Sequence, residues 1–149
     1  MKSIVIITAL ITCSFVSSAQ TTEDSVKAAV KLLFDGMMSS DSAKIQNAFA
    51  DSAILQSIST KDGKIVIQNE MVKDFAASIS KLPKDAADER ILFETIKIDG
   101  PLASVWTPYK FYYKGVFSHC GVDSYQLVRI NGVWKIQYLI DTRRKTPCG

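Results

Sequence analysis

The chain has 149 residues, 47% of them hydrophobic and 22% charged, with 18 basic against 15 acidic side chains and a formal charge of +3. That length suits one domain built on a single core. Charges of both signs are mixed, as in KLPKDAADER, which argues against the basic face that nucleic-acid binding needs. The apolar runs fall short of the roughly 18 residues of a membrane helix, so stable membrane insertion is not expected.

Residues 1–19 read as an export signal. Lys2 supplies the positive end, Ile4 to Ile11 the apolar run, and Ser17-Ser18-Ala19 the small residues a signal peptidase reads. Cleavage before Gln20 would leave residues 20–149 as one domain, take the charge from +3 to +2, and place the protein in the periplasm or the medium. The alternatives are an uncleaved anchor, or lipidation at Cys13. Leu10-Ile11-Thr12 lacks the small residue that lipidation expects beside the cysteine.

Val26, Ala29, Val30, Leu33, Phe34 and Met37 recur at three- and four-residue steps and predict a helix from about Glu23 to Met38. Thr22 or Asp24 can cap it, with acids favoured there by the dipole. A short second helix follows Ser40-Asp41, with Ile45, Ala48 and Phe49 inward. Ala53 to Thr60 and Lys64 to Ile67 alternate like strands about the turn Lys61-Asp62-Gly63. Helical spacing returns between Asn69 and Ser80, and Pro83 ends it.

From Arg90 onward the pattern is strand. Ile91 to Ile98 turns at Asp99-Gly100 into Leu102 to Tyr113, and Lys114-Gly115 leads into a long hairpin about Asn131-Gly132, a pair suited to a type I′ turn. Helices followed by an antiparallel meander predict an α+β fold. With a two-residue turn, Asp123, Tyr125, Leu127, Trp134, Ile136, Tyr138 and Ile140 share the inner face, while Asp141 points outward. Counting from Lys114-Gly115 adds Trp106, Lys110 and Tyr112 to that inner face, and any β-bulge would invert part of it.

Together the two or three N-terminal helices, SDSAKIQNAFADSAIL, ASVWTPYKFYYKG and GVWKI resemble the nuclear transport factor 2-like superfamily, the cone-shaped fold of ketosteroid isomerase and polyketide cyclases. PLASVWTPYKFYY, FSHCGVDSYQLVR, GVWKI and DTRR with a terminal cysteine resemble its exported bacterial branch, labelled "putative lumazine-binding". The resemblance covers about Glu23 to Cys148. It implies N-terminal helices packed on a strongly curved, mainly antiparallel sheet that forms a cone, with a pocket between them. The architecture hosts enzymes, binders and assembly modules, so it carries no single activity.

His119, the only histidine, could move a proton near neutral pH with Asp123 as partner, or could simply sit at the sheet rim bonded to backbone. Asp123, on the inner face, needs a partner or a proton, and Lys110, Arg143 or Arg144 could supply the former. Trp106, Lys110, Tyr112, Tyr125 and Tyr138 are the candidate ligand contacts, while Trp134 reads as core. One histidine and no cysteine cluster give no expected metal site, and no P-loop, dinucleotide glycine pattern or GxSxG motif appears, so no cofactor is expected.

Three readings remain open. The first is an exported module binding a small apolar or aromatic molecule in its cone. The second is an isomerase, dehydratase or cyclase using His119 and Asp123 for proton transfer. The third is a structural dimerising module with a filled cone. A homodimer through the sheet is expected from Val105, Tyr109, Phe111, Val122 and Val128 on a convex face. Cys120 and Cys148, alone once the signal is gone, are expected to pair, because the last strand passes Cys120 and Pro147 favours a departure from the sheet. Two free thiols are the alternative.

Overall fold

The computed structural model describes residues 21–148, so the expected export signal lies outside the described residues. Its elements are α1 (Thr22–Ser39), α2 (Ser42–Ala48), β1 (Phe49–Lys61), β2 (Lys64–Glu70), α3 (Val72–Ile79), β3 (Ala87–Ile91), β4 (Thr95–Asp99), β5 (Leu102–Tyr113), β6 (Val116–Ile130) and β7 (Val133–Thr142). One sheet carries all the strands in the order β2-β1-β7-β6-β5-β3, with β4 also on the outer side of β5. Every pairing is antiparallel except β1 with β7. Three helices against this sheet make the α+β arrangement that the hydrophobic periods predict.

Local chemistry explains the boundaries. Thr21, one residue earlier than expected, caps α1 in a capping box: its hydroxyl accepts from the Asp24 amide while the Asp24 carboxylate accepts from the Thr21 amide. Asp41 caps α2 by accepting from the Ala43 and Lys44 amides. A Cβ on Gly36 would stand 2.8 Å from Ile45 Cγ1, so glycine there lets α1 and α2 pack closely. Phe49, expected on the second helix, begins β1 instead.

The single strand expected over Ile91 to Ile98 is broken into β3 and β4. Opposite the break stands Pro108, whose carbonyl accepts from the Leu92 amide but which has no N–H to return. The β3 half pairs with Tyr109 to Tyr113, and the β4 half with Leu102 to Trp106.

Two β-bulges set the faces. Phe111 pairs with His119 but Tyr112 with Phe117, which leaves Ser118 as the extra residue. Gln126 pairs with Tyr138 but Leu127 with Ile136, which leaves Gln137 as the other. Each extra residue turns the following side chains to the opposite face. Asp123 therefore stands opposite Thr107 on one side and Asp141 on the other. The expected faces of Trp106, Lys110, Tyr112, Tyr138, Ile140 and Asp141 are corrected on this ground. The first five lie on the convex face, and Asp141 turns inward and is buried. Val105, Tyr109 and Phe111, expected outside, lie on the inner face, the first two buried and Phe111 packed against the core.

Helix and sheet meet over Val26, Val30 and Leu33 of α1, Ile45 of α2, Ala76 of α3, and Tyr125, Leu127, Trp134 and Ile136 of the sheet. Leu127 and Ile136 are fully buried, each worth about 1.5–3 kcal/mol relative to exposure. Trp134 is core as expected. Beyond this packed end the helices and sheet diverge.

Candidate functional site

Between α1, α3 and the concave sheet lies a cavity of about 250 Å³. Its walls are apolar, with Leu33 and Phe34 from α1, Phe75 from α3, and Leu55 and Leu139 from the sheet. Its floor is polar and is built by β-strand alternation: Glu89 from β3, Tyr109 from β5, His119, Asp123 and Tyr125 from β6, and Asp141 from β7 all line it. Arg143, just past β7, and Glu70, at the end of β2, stand at its rim.

The floor is two carboxylates wrapped in hydroxyl donors. Asp123 Oδ2 accepts from the Tyr125 hydroxyl at 3.0 Å and the Thr107 hydroxyl at 3.1 Å. Asp141 accepts from Ser57 Oγ at 2.5 Å, from the Tyr109 hydroxyl at 3.1 Å, and from Arg143 Nε at 2.9 Å in an ion pair. The Tyr109 hydroxyl also lies 2.9 Å from the Thr142 carbonyl. Asp123 and Asp141 are only 3% and 6% exposed, so these partners are what make two acids tolerable on adjacent strands.

Burial, then the neighbouring charge of Asp141, pushes the Asp123 carboxyl up to about 7, against the pull of its hydrogen bonds from Tyr125, Thr107 and Glu89. Glu89 is driven well above the usual carboxylate range, by burial first and then by the charges of Asp123 and Asp141. Glu89 is thereby favoured in its protonated form beside Asp123, where it is able to donate to that carboxylate. Burial also raises both tyrosine hydroxyls, Tyr109 and Tyr125, which keeps them protonated donors. His119 goes the other way: burial, then the Arg143 charge, lowers it, so the imidazole is neutral at pH 7. Its ring packs edge-on against Tyr109, with centroids 5.7 Å apart, and tilted against Phe111 at 5.0 Å.

Cys120 and Cys148 form a disulfide, with Cα atoms 5.9 Å apart. The bulge at Gln137 shifts β7 by one residue and so puts Cys120 opposite Arg144, and two backbone hydrogen bonds of 2.9 Å join those residues. The tail that carries Arg143 is thereby tied beside the cavity. Gly121 is required here, since a Cβ would lie 1.7 Å from the Thr142 carbonyl oxygen.

Of the residues singled out in the sequence, His119, Asp123 and Tyr125 come together at this cavity. Trp106 is 45% exposed on the convex face, and Lys110 is exposed there too. Tyr112 stacks under the Arg90 guanidinium, 4.4 Å from its ring centroid, and the Tyr138 hydroxyl donates to Gln56 Oε1 at 2.5 Å. None of these four reaches the cavity lining. Glu89 was missed because it follows the charged run KDAAD, although its alternation with Ile91 was a signal for the inner face.

Three helices packed on this curved, mainly antiparallel sheet give the nuclear transport factor 2-like fold, and solved structures agree. One such protein of unknown function from Shewanella baltica OS155 matches with TM-score 0.65 at 15% identity, covering 83% of this chain and 94% of that one. Others, from Shewanella oneidensis MR-1 (TM-score 0.63, 16% identity, 82% and 99% covered) and Methylobacillus flagellatus KT (0.62, 15%, 86% and 98%), share the fold. The family described as "Putative lumazine-binding" matches residues 21–138, and the chain belongs to it. Comparison with curated proteins gives no match.

Proposed function

We propose that this protein binds a small, mainly apolar molecule in its cone, gripping a polar edge of that molecule with the Glu89, Asp123 and Tyr125 floor. The observation that carries the reading is the cavity itself: its apolar walls stay open over a floor of buried, hydrogen-bonded acids. Ligand sites combine these features, whereas a purely structural module would fill such a space with its own side chains. The family's description points to a ligand as well.

A second reading has its own support. Asp123 is held near 7 beside a Glu89 raised above the usual carboxylate range, and the neutral His119 stands at the same cavity, which is the equipment of a proton-transfer enzyme. In that reading Asp123 is the base and Glu89 the acid, with His119 as an auxiliary.

We propose export and a sheet-mediated homodimer alongside. The disulfide suits an oxidising compartment. Ile54, Ile65, Ile67 and Trp106 are 45% to 69% exposed on β-strands, an apolar surface suited to burial against a second copy. Among the described residues no helix is long and apolar enough to cross a membrane.

The test is extraction. Protein purified from its native host is denatured in organic solvent and the released compounds identified by mass spectrometry. A small molecule recovered in stoichiometric amount from wild type, and absent from a Glu70→Trp variant with a blocked mouth, supports binding. Identical profiles from the two would contradict it.

A further inference from the structure

The cone's polar floor is unequal in what it offers a guest. The Tyr125 and Thr107 protons are spent on Asp123, the Ser57 proton on Asp141, and the Tyr109 proton on Asp141 or the Thr142 carbonyl. Arg143 Nε is spent on Asp141 as well. The terminal nitrogens of Arg143 stay available at the rim, and His119 Nε2 stands at the same cavity, but on the floor what remains is the Glu89 carboxyl and the Asp123 oxygen that neither Tyr125 nor Thr107 engages. A guest meeting this floor must bring donors of its own.

Charge points the same way. The cavity is lined by the carboxyls of Glu70 on β2, Glu89 on β3, Asp123 on β6 and Asp141 on β7. Against them stands one guanidinium, Arg143, while Tyr109, Tyr125 and His119 are neutral at pH 7. Acids gathered in excess at one cavity are costly, and favouring the protonated form of Glu89 offsets part of that cost. A bound cation would do the same work and release the proton. Among the described residues no set of three carboxyl, histidine or cysteine groups is arranged to hold a metal ion, so the compensating cation would be organic.

We infer that the cone selects a cationic amine, its ammonium group seated between Glu89 and Asp123 and its apolar body against Leu33, Phe34, Phe75 and Leu139. The inference rests on the ligand-binding reading above and adds the chemical class. A carboxylate or phosphate ligand would meet like charge at Glu89 and Asp123 and is disfavoured on that floor. Binding couples to protons: the amine binds the ionised pair, so its affinity rises with pH through the range where Asp123 titrates, about 7.

Three probes of one shape test this by calorimetry: 2-phenylethylamine, 2-phenylethanol and phenylacetate, titrated into the whole protein at about pH 8, where the amine is charged. The amine is expected to bind at least about tenfold tighter than the alcohol, the gain of a charge-assisted hydrogen bond, with phenylacetate weakest. Glu89→Gln, on a half-buried strand residue, should erase most of the preference of amine over alcohol, read as the ratio of the two affinities in the same variant. If that variant does not fold, wild type at about pH 5 replaces it, and the amine should again lose its advantage. Equal or tighter binding of the alcohol or phenylacetate would overturn the amine class while leaving a ligand-binding cone. Binding of none of the three would overturn both. An amine preference that survives both loss of Glu89 and acid pH would overturn the role of the acid pair.

Discussion

Asp123→Asn isolates the energetics of the floor. In the native protein Asp123 rises from 3.8 to about 7, foremost through burial and then through the Asp141 charge. A carboxyl raised in the native state holds its proton longer than in the unfolded chain. Its stabilising effect is therefore complete below pH 3.8 and is lost as pH rises through about 7. At about 1.4 kcal/mol per unit, the rise corresponds to about 4 kcal/mol, an upper figure because Glu89, raised beside it, titrates with it. Asparagine keeps an oxygen to accept from Tyr125 and Thr107 but has no charge to bury. Measured by urea denaturation followed by circular dichroism, wild type should lose stability relative to the variant by about 2–4 kcal/mol between pH 4 and pH 8. Groups common to both proteins cancel in the difference. Parallel stability profiles across that range would refute the assignment of a raised, buried carboxyl to Asp123.

The remaining expectations are structural. Gly121→Ala should cost more than about 3 kcal/mol in urea denaturation, because its Cβ would lie 1.7 Å from the Thr142 oxygen and the backbone must move; a near-neutral effect would contradict the close approach of β6 and the strand end. Cys120→Ala should lower stability by about 3.5 kcal/mol, the chain-entropy value for a loop of 28 residues, and thiol titration of denatured, unreduced wild type should find neither Cys120 nor Cys148 free. Ile67→Lys, placing a charge where a 56% exposed isoleucine stands on β2, should convert a dimer at about 50 µM into a monomer by sedimentation equilibrium; a monomeric wild type would remove the proposed interface.

Hydrophobic periods carried the architecture and half of the site. The stripe from Val26 to Met37 gave α1, and Asn131-Gly132 fixed the hairpin closely enough to pair Ile130 with Val133 and Leu127 with Ile136. Those inner faces placed Tyr125 and Asp123 correctly. The pairing failed past Gln137 and Ser118, because an extra residue on one strand leaves no mark in an alternating pattern. Neither glutamine nor serine is chemically suited to announce a bulge. Tyr138, Ile140 and Asp141 lie past Gln137, and Trp106 and Lys110 across from the segment past Ser118; Tyr112 pairs with Phe117 on the turn side of that bulge, as expected, and shares the face of Trp106 and Lys110 by alternation along β5. The break at Pro108 was different. A proline lacking its donor within an expected strand was visible, and its consequence for the neighbouring edge could be read from it.

The most direct test of the account is where a guest sits. Protein labelled at isoleucine and leucine methyls is titrated with 2-phenylethylamine and with 2-phenylethanol while methyl resonances are followed by NMR. Leu33, Leu55, Ile79 and Leu139 line the cavity, whereas Ile54, Ile65 and Ile67 lie outside its lining and exposed. The account predicts saturable shifts in the first set and none in the second. Shifts confined to Ile54, Ile65 and Ile67, or no saturable shift in the cavity methyls with either probe, would contradict it.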